Sequence, residues 1–232
     1  MKKAIVFCVF AAVLFLVATG LCFSAVATPV FAVENELKIV LDAGHGGIDG
    51  GVSGRSGVKE SEINLALCML LKEELEEAGF KVVLTRKTEA GLYGAATRGF
   101  KKRDMQKRKE IIEEAKPDLV VSVHQNFYSA KSVRGGQAFY KSGDKQGEAL
   151  ANAMQKSLNA FYQKSGVKKR TFATGDYYIL NCTPYPSVLV ECGFLSNAKD
   201  EEILIGNLGR KQIVAALFAG VLEYLNDSYG KG

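Results

Sequence analysis

Short apolar runs alternate along the chain with longer segments in which apolar residues recur at helical spacing. The runs predict buried strands over residues 37–41, 80–84, 118–124, 134–141, 177–181 and 187–192. The helical spacing predicts helices over residues 59–79, 103–116, 145–162, 198–204 and 212–225. This alternation predicts an α/β fold, a single three-layer domain with a mostly parallel (mixed) twisted sheet of about six strands flanked by helices.

The N-terminal residues have a different pattern. Two lysines precede an almost unbroken apolar run over residues 4–23, and small residues at 25–27 suit cleavage by a signal peptidase. We therefore predict a signal peptide or N-terminal membrane anchor over residues 1–27, a short linker over 28–36 and the catalytic domain over 37–228. About twenty apolar residues can span a bilayer of roughly 30 Å, so cleavage and retention both stay open. In either case we expect the domain to act outside the cytoplasm, with membrane contact only through this segment.

Charge and cysteine content exclude two classes of protein. Removing Lys2 and Lys3 takes the basic residues from 30 to 28 against 25 acidic ones, and a net charge near +3 is too small to indicate nucleic-acid binding. Three cysteines, Cys68, Cys182 and Cys192, follow the leader. An odd number outside the cytoplasm excludes a disulfide framework, although pairing of Cys182 with Cys192 stays open.

Two basic runs, at residues 101–109 and 168–170, have no assigned role. Each is either a solvated face or a contact for an anionic wall polymer or a partner protein.

The two histidines of the chain both occur where an apolar run ends. His45 lies in D-A-G-H-G-G at 42–47, and His124 lies in V-V-S-V-H-Q-N at 120–126. Because α/β sheets place ligand sites at strand ends, and imidazole is the commonest metal ligand, we expect one shared metal site at the strand ends. Glu60 is the candidate third ligand, since the start of a helix favours a carboxylate. Two imidazoles, one carboxylate and an open fourth position are typical of a hydrolytic zinc site.

Glu191 ends the apolar strand at 187–192. An isolated buried carboxylate is costly, so this residue must be paired, metal-bound or catalytic. We expect it to be the general base, and the alternative is an ion pair with Lys199 or an arginine. Arg86 and Asn126, each close to a strand end, are candidate substrate contacts, with local loop hydrogen bonding as the alternative.

Four motifs, in this order, resemble the zinc-dependent N-acetylmuramoyl-L-alanine amidases. They are D-A-G-H-G-G at 42–47, G-x-x-E at 57–60, S-V-H-Q-N at 122–126 and L-V-E-C-G-F-L-S-N at 189–197. The resemblance implies that His45, Glu60 and His124 bind one zinc ion and that Glu191 is catalytic. It also implies a peptidoglycan substrate, cut at the amide between N-acetylmuramic acid and L-alanine.

The chain is more narrowly similar to the germination-specific branch of this family, which acts on spore cortex towards muramic lactam formation. The stretch between His124 and Glu191 is too short for the autoinhibitory helical insert of some cell-division amidases, so control would come from expression or an activating protein partner. Gln125 stands where relatives often carry a small residue. Two alternatives remain, an exported zinc peptidase of the stem peptide and a catalytically inactive wall-binding protein.

Overall fold

The structure, a computed structural model, describes residues 37–230. The predictions for residues 1–36 lie outside this range, and none of the helices within it is long and apolar enough to cross a bilayer. In chain order the elements are β1 (Lys38–Ala43), α1 (Glu60–Glu77), β2 (Lys81–Leu84), α2 (Phe100–Ala115), β3 (Leu119–Asn126), β4 (Gln137–Tyr140), α3 (Lys145–Gln163), β5 (Ala173–Thr174), α4 (Tyr178–Asn181), β6 (Ser187–Phe194), α5 (Ala198–Ile205) and α6 (Asn207–Tyr229).

The strands form one mixed, mostly parallel sheet in the order β2-β1-β3-β6-β4-β5. β1 pairs in parallel with β2 and β3, and β3 pairs in parallel with β6. β4 is antiparallel to β6 and parallel to β5. The two central strands β1 and β3 are apolar almost throughout because helices cover both faces of the sheet. The predicted fold class is confirmed.

Alternate residues of the central strands face different helical layers. Val40, Val120 and Leu189 pack with Ile112 of α2 and Ile179 of α4 in one buried cluster. On the other face, α1 and α3 contact the sheet, and α6 packs against both of these helices. This three-layer arrangement leaves the carboxyl ends of β1, β3 and β6 side by side at one edge of the core.

The prediction of a strand over residues 177–181 is wrong, because this segment forms the single helical turn α4. Asn181 Nδ2 donates to the backbone oxygen of Tyr177 at 3.0 Å, which closes the turn. The adjacent residues Ile179 and Leu180 are both buried in the cluster beneath α2. A strand would point two successive side chains to opposite faces, so packing against α2 overrides the local preference. Residues 173–174 supply the sixth strand instead.

The three cysteines within residues 37–230 are free thiols. Cys192 is buried within β6, whereas Cys182 follows α4 and is half-buried. Burial raises the pKa of Cys182 to about 11, and it raises the pKa values of Cys68 and Cys192 above their ordinary range. These thiols are therefore protonated and unreactive at neutral pH.

A buried ion pair joins α2 to the end of β1. Arg108 Nη1 donates to Asp42 Oδ1 at 2.5 Å, and Arg108 Nε donates to Asp104 Oδ2 at 2.7 Å. Asp42 also accepts hydrogen bonds from the hydroxyls of Thr85 and Ser122, at 2.7 and 2.6 Å. Burial alone would raise the pKa of Asp42, but the Arg108 charge and these hydrogen bonds lower it to about 2. The carboxylate is therefore ionised at every physiological pH.

The basic run at residues 101–109 thus has no single role. Arg108 is buried, and Arg103 donates hydrogen bonds to backbone oxygens of the preceding loop, including those of Tyr93 and Arg98. Lys107 and Lys109 form exposed ion pairs within α2. Neither a uniformly solvated face nor a uniform docking face describes this helix.

Replacing Arg108 by methionine should destabilise the fold strongly. The change leaves Asp42 buried without its counter-charge, and removal of one partner of a buried pair costs about 3–5 kcal/mol. Urea unfolding should show this loss in the free energy of unfolding. Lys107→Met is the matched control, because its exposed ion pair contributes about 0–1 kcal/mol. Equal effects of the two substitutions would show that the buried pair is dispensable.

Candidate metal centre

Three separate elements bring the predicted metal ligands together. His45 follows the end of β1, Glu60 is the first residue of α1 and His124 lies near the end of β3. His45 Nε2 lies 3.3 Å from Glu60 Oε1, and His124 Nδ1 lies 3.0 Å from the same oxygen. One ligand atom from each residue lies within 4.8 Å of the other two. The parallel pairing of β1 with β3 makes this convergence possible, since it aligns the ends of both strands.

The glycine loop, residues 44–51 after β1, allows the two imidazole rings to approach each other. The ring centroids of His45 and His124 are 5.1 Å apart. A Cβ atom at Gly44 would lie 2.3 Å from the His124 ring, so only glycine fits there. His45 itself has a φ of 61°, a left-handed conformation that is uncommon outside glycine and tends to occur at functional sites.

Glu60 is held by backbone and side-chain donors. The backbone nitrogen of Val52 donates to Oε2 at 3.0 Å, and that of Gln125 donates to Oε1 at 3.1 Å. Asn64 Nδ2 lies 3.4 Å from Glu60 Oε1. The Asn64 side chain is held in turn by Gln125, whose Nε2 donates to Asn64 Oδ1. Burial alone would raise the pKa of Glu60, but hydrogen bonds with His124 and His45 lower it below its usual range. The carboxylate is thus ionised, as a metal ligand must be.

Asp49, which was not predicted, orients His45. Its Oδ2 lies 3.2 Å from His45 Nδ1, which leaves Nε2 directed towards Glu60. A carboxylate partner of this kind commonly fixes the tautomer and orientation of a metal-bound histidine. The signal in the sequence was an acidic residue four positions after His45 within the glycine loop. Lys101 Nζ in turn lies 3.4 Å from Asp49 Oδ2.

These donors fit a zinc ion. Two imidazole nitrogens face one carboxylate oxygen, a set with no thiolate that is typical of catalytic zinc sites with three protein ligands. Each ligand residue is supported by a further hydrogen bond or by tight packing, so the cluster is preorganised. The site therefore has the composition that the sequence predicted for one zinc ion.

Glu191 lies beside this cluster. It pairs with His124 across the parallel β3–β6 ladder, and paired residues point to the same face of a sheet. Its Oε2 is buried without a hydrogen-bond partner in residues 37–230, and no ion pair with Lys199 occurs there. Burial raises the pKa of Glu191 to about 7; the Glu60 charge adds to the effect and the His124 charge opposes it. An unpaired carboxyl group with a pKa near neutrality suits proton transfer.

Two cavities flank the cluster. The Tyr178 cavity has a volume of about 240 Å³, and its mainly apolar wall includes Phe100, Met105, Tyr178 and Ile179. The Phe127 cavity, of about 490 Å³, is lined by residues that include Val52, Asn126, Phe127 and Glu191. His45, Asp49, Lys101, His124, Tyr177 and Leu189 line both cavities. The two cavities therefore adjoin at the ligand cluster.

The two candidate substrate contacts differ in exposure. Arg86 is buried, and its guanidinium donates to the backbone oxygens of Ala43, Gly44, Ser61 and Thr88. These hydrogen bonds favour the local role that the sequence left open, since they hold the glycine loop against α1. Asn126 lines the Phe127 cavity, so substrate contact by this residue stays a prediction.

Comparisons with known proteins agree with this geometry. The family model described as N-acetylmuramoyl-L-alanine amidase matches residues 39–223. The germination-specific N-acetylmuramoyl-L-alanine amidase of Bacillus subtilis is 29% identical over 192 residues, which cover 82% of this chain and 80% of that protein.

Solved structures are similar over the same range. The CwlD amidase from Clostridioides difficile, solved in complex with the GerS lipoprotein, has a TM-score of 0.78 and 34% identity, and the match covers 83% of this chain and 100% of that chain. The catalytic domain of CwlV from Bacillus (Paenibacillus) polymyxa var. colistinus has a TM-score of 0.70 and 29% identity, with 82% and 98% coverage.

The full chain, prepared without a histidine tag, should bind about one zinc ion per molecule. His45→Ala and His124→Ala should each lose the metal, and Glu60→Gln should lower zinc affinity by roughly 10-fold or more because it removes the charged oxygen ligand. Glu62→Gln, an exposed acid in the same helical turn, is the matched control. Metal content by mass spectrometry, and the rise in Tm that zinc produces, measure the effect. Full zinc occupancy in the double histidine variant would contradict the assignment.

Proposed function

Since the chain belongs to the N-acetylmuramoyl-L-alanine amidase family, we propose that it hydrolyses the amide between N-acetylmuramic acid and L-alanine in a zinc-dependent reaction. The observation that carries this proposal is the position of Glu191, a half-buried residue whose Oε2 is buried without a hydrogen-bond partner in the described part of the chain, beside the ligand cluster of His45, Glu60 and His124.

Metal binding and proton transfer are assigned to different residues of the site. His45, Glu60 and His124 would hold the zinc ion, which when bound supplies Lewis-acid chemistry that polarises a carbonyl and lowers the pKa of water. Glu191 is placed to take a proton from the attacking water. The same carboxyl group then donates this proton to the L-alanine nitrogen as the amide bond breaks.

Two alternatives are less well supported. A peptidase that cuts within the stem peptide could use the same ligand set, but membership of the amidase family supports the bond next to the sugar. A catalytically inactive wall-binding protein would not need the complete set of three ligands and Glu191. Retention of all four residues supports an enzyme.

The relatives support finer proposals about where the protein acts. The germination-specific amidase of Bacillus subtilis and CwlD of Clostridioides difficile lead us to propose spore cortex as the substrate, at a step towards muramic lactam formation. Because CwlD was solved with the GerS lipoprotein, we also propose a protein partner for this chain. Both proposals require export from the cytoplasm, in agreement with the predicted leader at residues 1–27.

Glu191→Gln should separate catalysis from metal binding. The amide keeps the shape of the side chain but cannot accept the proton, so turnover should fall by roughly 10²–10⁴-fold while zinc remains bound. The wild-type rate should also fall towards acid pH, since a raised pKa leaves Glu191 protonated as the pH decreases through about 7; a bound cation shifts this limb to lower pH. Near-wild-type turnover in a zinc-loaded variant would assign the base to another residue.

Product analysis tests the bond that is cut. Digestion of purified peptidoglycan should release peptides with a free L-alanine amine and leave muramic acid without its stem. Mass spectrometry of the products identifies both ends, and parallel digests of cortex and vegetative wall measure the preference for cortex. Products that all retain L-alanine on muramic acid would refute the amidase proposal, and equal rates on both substrates would refute cortex specificity alone.

A further inference from the structure

Lys101 is an exposed cation at the edge of the metal centre. It lines both the Tyr178 cavity and the Phe127 cavity, and its side chain is 68% exposed. The other cationic side chain that lines the Tyr178 cavity is Arg108, which is buried and bonded to Asp42 and Asp104. Of these two cations, Lys101 is therefore the one that can contact a bound molecule.

The charged side chains that line the Phe127 cavity with Lys101 are acidic. Asp49, Glu60 and Glu191 are the acidic residues that line the Phe127 cavity, and among residues 37–230 Lys101 is the one lysine or arginine that lines it. Lys101 contacts Asp49, with Nζ 3.4 Å from Oδ2. An ammonium group has three donors, so Lys101 can keep this contact and still bind a second carboxylate.

The proposed substrate carries a carboxylate near the bond that is cut. In the stem peptide, L-alanine is followed by a glutamate joined through its side-chain carboxyl group, which leaves the main-chain carboxylate free. This group lies about 6 Å from the scissile nitrogen, given about 3.8 Å between consecutive Cα atoms. Lys101 Nζ and His45 Nδ1 contact the same Asp49 oxygen, at 3.4 and 3.2 Å. Lys101 therefore lies one residue away from a candidate metal ligand, on the rim where a carboxylate close to the reacting bond would lie.

We propose that Lys101 binds the free carboxylate of the residue after L-alanine and so selects stems that carry this carboxylate over stems in which it is amidated. The inference rests on the proposed amidase function, because it takes the L-alanine amide as the reacting bond. Lys101 is then a specificity residue that touches the substrate away from the reacting atoms.

Two synthetic substrates test this inference. Both are disaccharides with the stem L-alanyl-γ-D-glutamyl-lysine, and one has the glutamate α-carboxylate converted to an amide. The zinc-loaded full chain should prefer the carboxylate compound by roughly 10- to 100-fold in kcat/KM, as expected for a charge-assisted hydrogen bond. Lys101→Met should bring the ratio of the two kcat/KM values close to one, through a higher KM for the carboxylate compound. Lys101→Arg should retain part of the preference.

Lys102→Met is the matched control, because it removes the same charge from the neighbouring exposed position on α2 and should keep the wild-type preference. Zinc content is measured for every variant. Equal cleavage of both compounds by the wild type would overturn the inference while the amidase function stands. An equal loss on both compounds in Lys101→Met would also overturn it, and would assign Lys101 to orienting His45 through Asp49. Cleavage of neither compound would overturn the proposed function and this inference together.

Discussion

The buried ion pair between Asp42 and Arg108 is the interaction on which the rest of the site depends. The Asp42 carboxylate accepts hydrogen bonds from the hydroxyl of Thr85, the residue after β2, and from that of Ser122 in β3. Arg108 also donates to the backbone oxygen of His45 at 2.6 Å. A buried pair is costly to desolvate and is retained only where its polar atoms are fully satisfied. Here the satisfied network joins three elements and holds the backbone of a candidate metal ligand.

The geometry of the candidate metal centre follows from the parallel pairing of the strands. Their ends coincide at one edge of the sheet, which places the His45 loop, His124 and Glu191 next to each other, and the first turn of α1 adds Glu60. The two glutamates then acquire different properties from their surroundings. Glu60 is surrounded by donors and stays ionised, whereas Glu191 has a buried Oε2 without such donors within residues 37–230, and burial raises its pKa to about 7. Different environments for two carboxyl groups are a common way to separate a structural or ligand role from proton transfer.

Helix α2 shows how one basic segment serves both the fold and the site. Arg108 points into the core and is 1% exposed, whereas Lys101, about two turns earlier, is 68% exposed at the rim of both cavities. The same helix therefore supplies a buried cation that pairs with Asp42 at the end of β1 and an exposed cation that lines both cavities. Displacement of α2 would change both, which couples the stability of the strand ends to the charge of the cavities.

The sequence by itself determined the α/β class, the candidate metal ligands and the choice of Glu191 as the candidate general base. Most apolar runs with polar ends form the strands of the sheet, with residues 177–181 as the exception. A chain with only two histidines leaves few ways to build such a site. Tertiary structure alone decided that residues 178–181 form a helical turn, that Arg86 and Arg108 are buried and that Asp49 contacts His45. Periodicity along a chain indicates which apolar residues are buried, but not which charged residues are buried with them or which distant residues they meet. Buried charges find partners through contacts between elements that are far apart in sequence, and those contacts exist only once the sheet and its helices have packed.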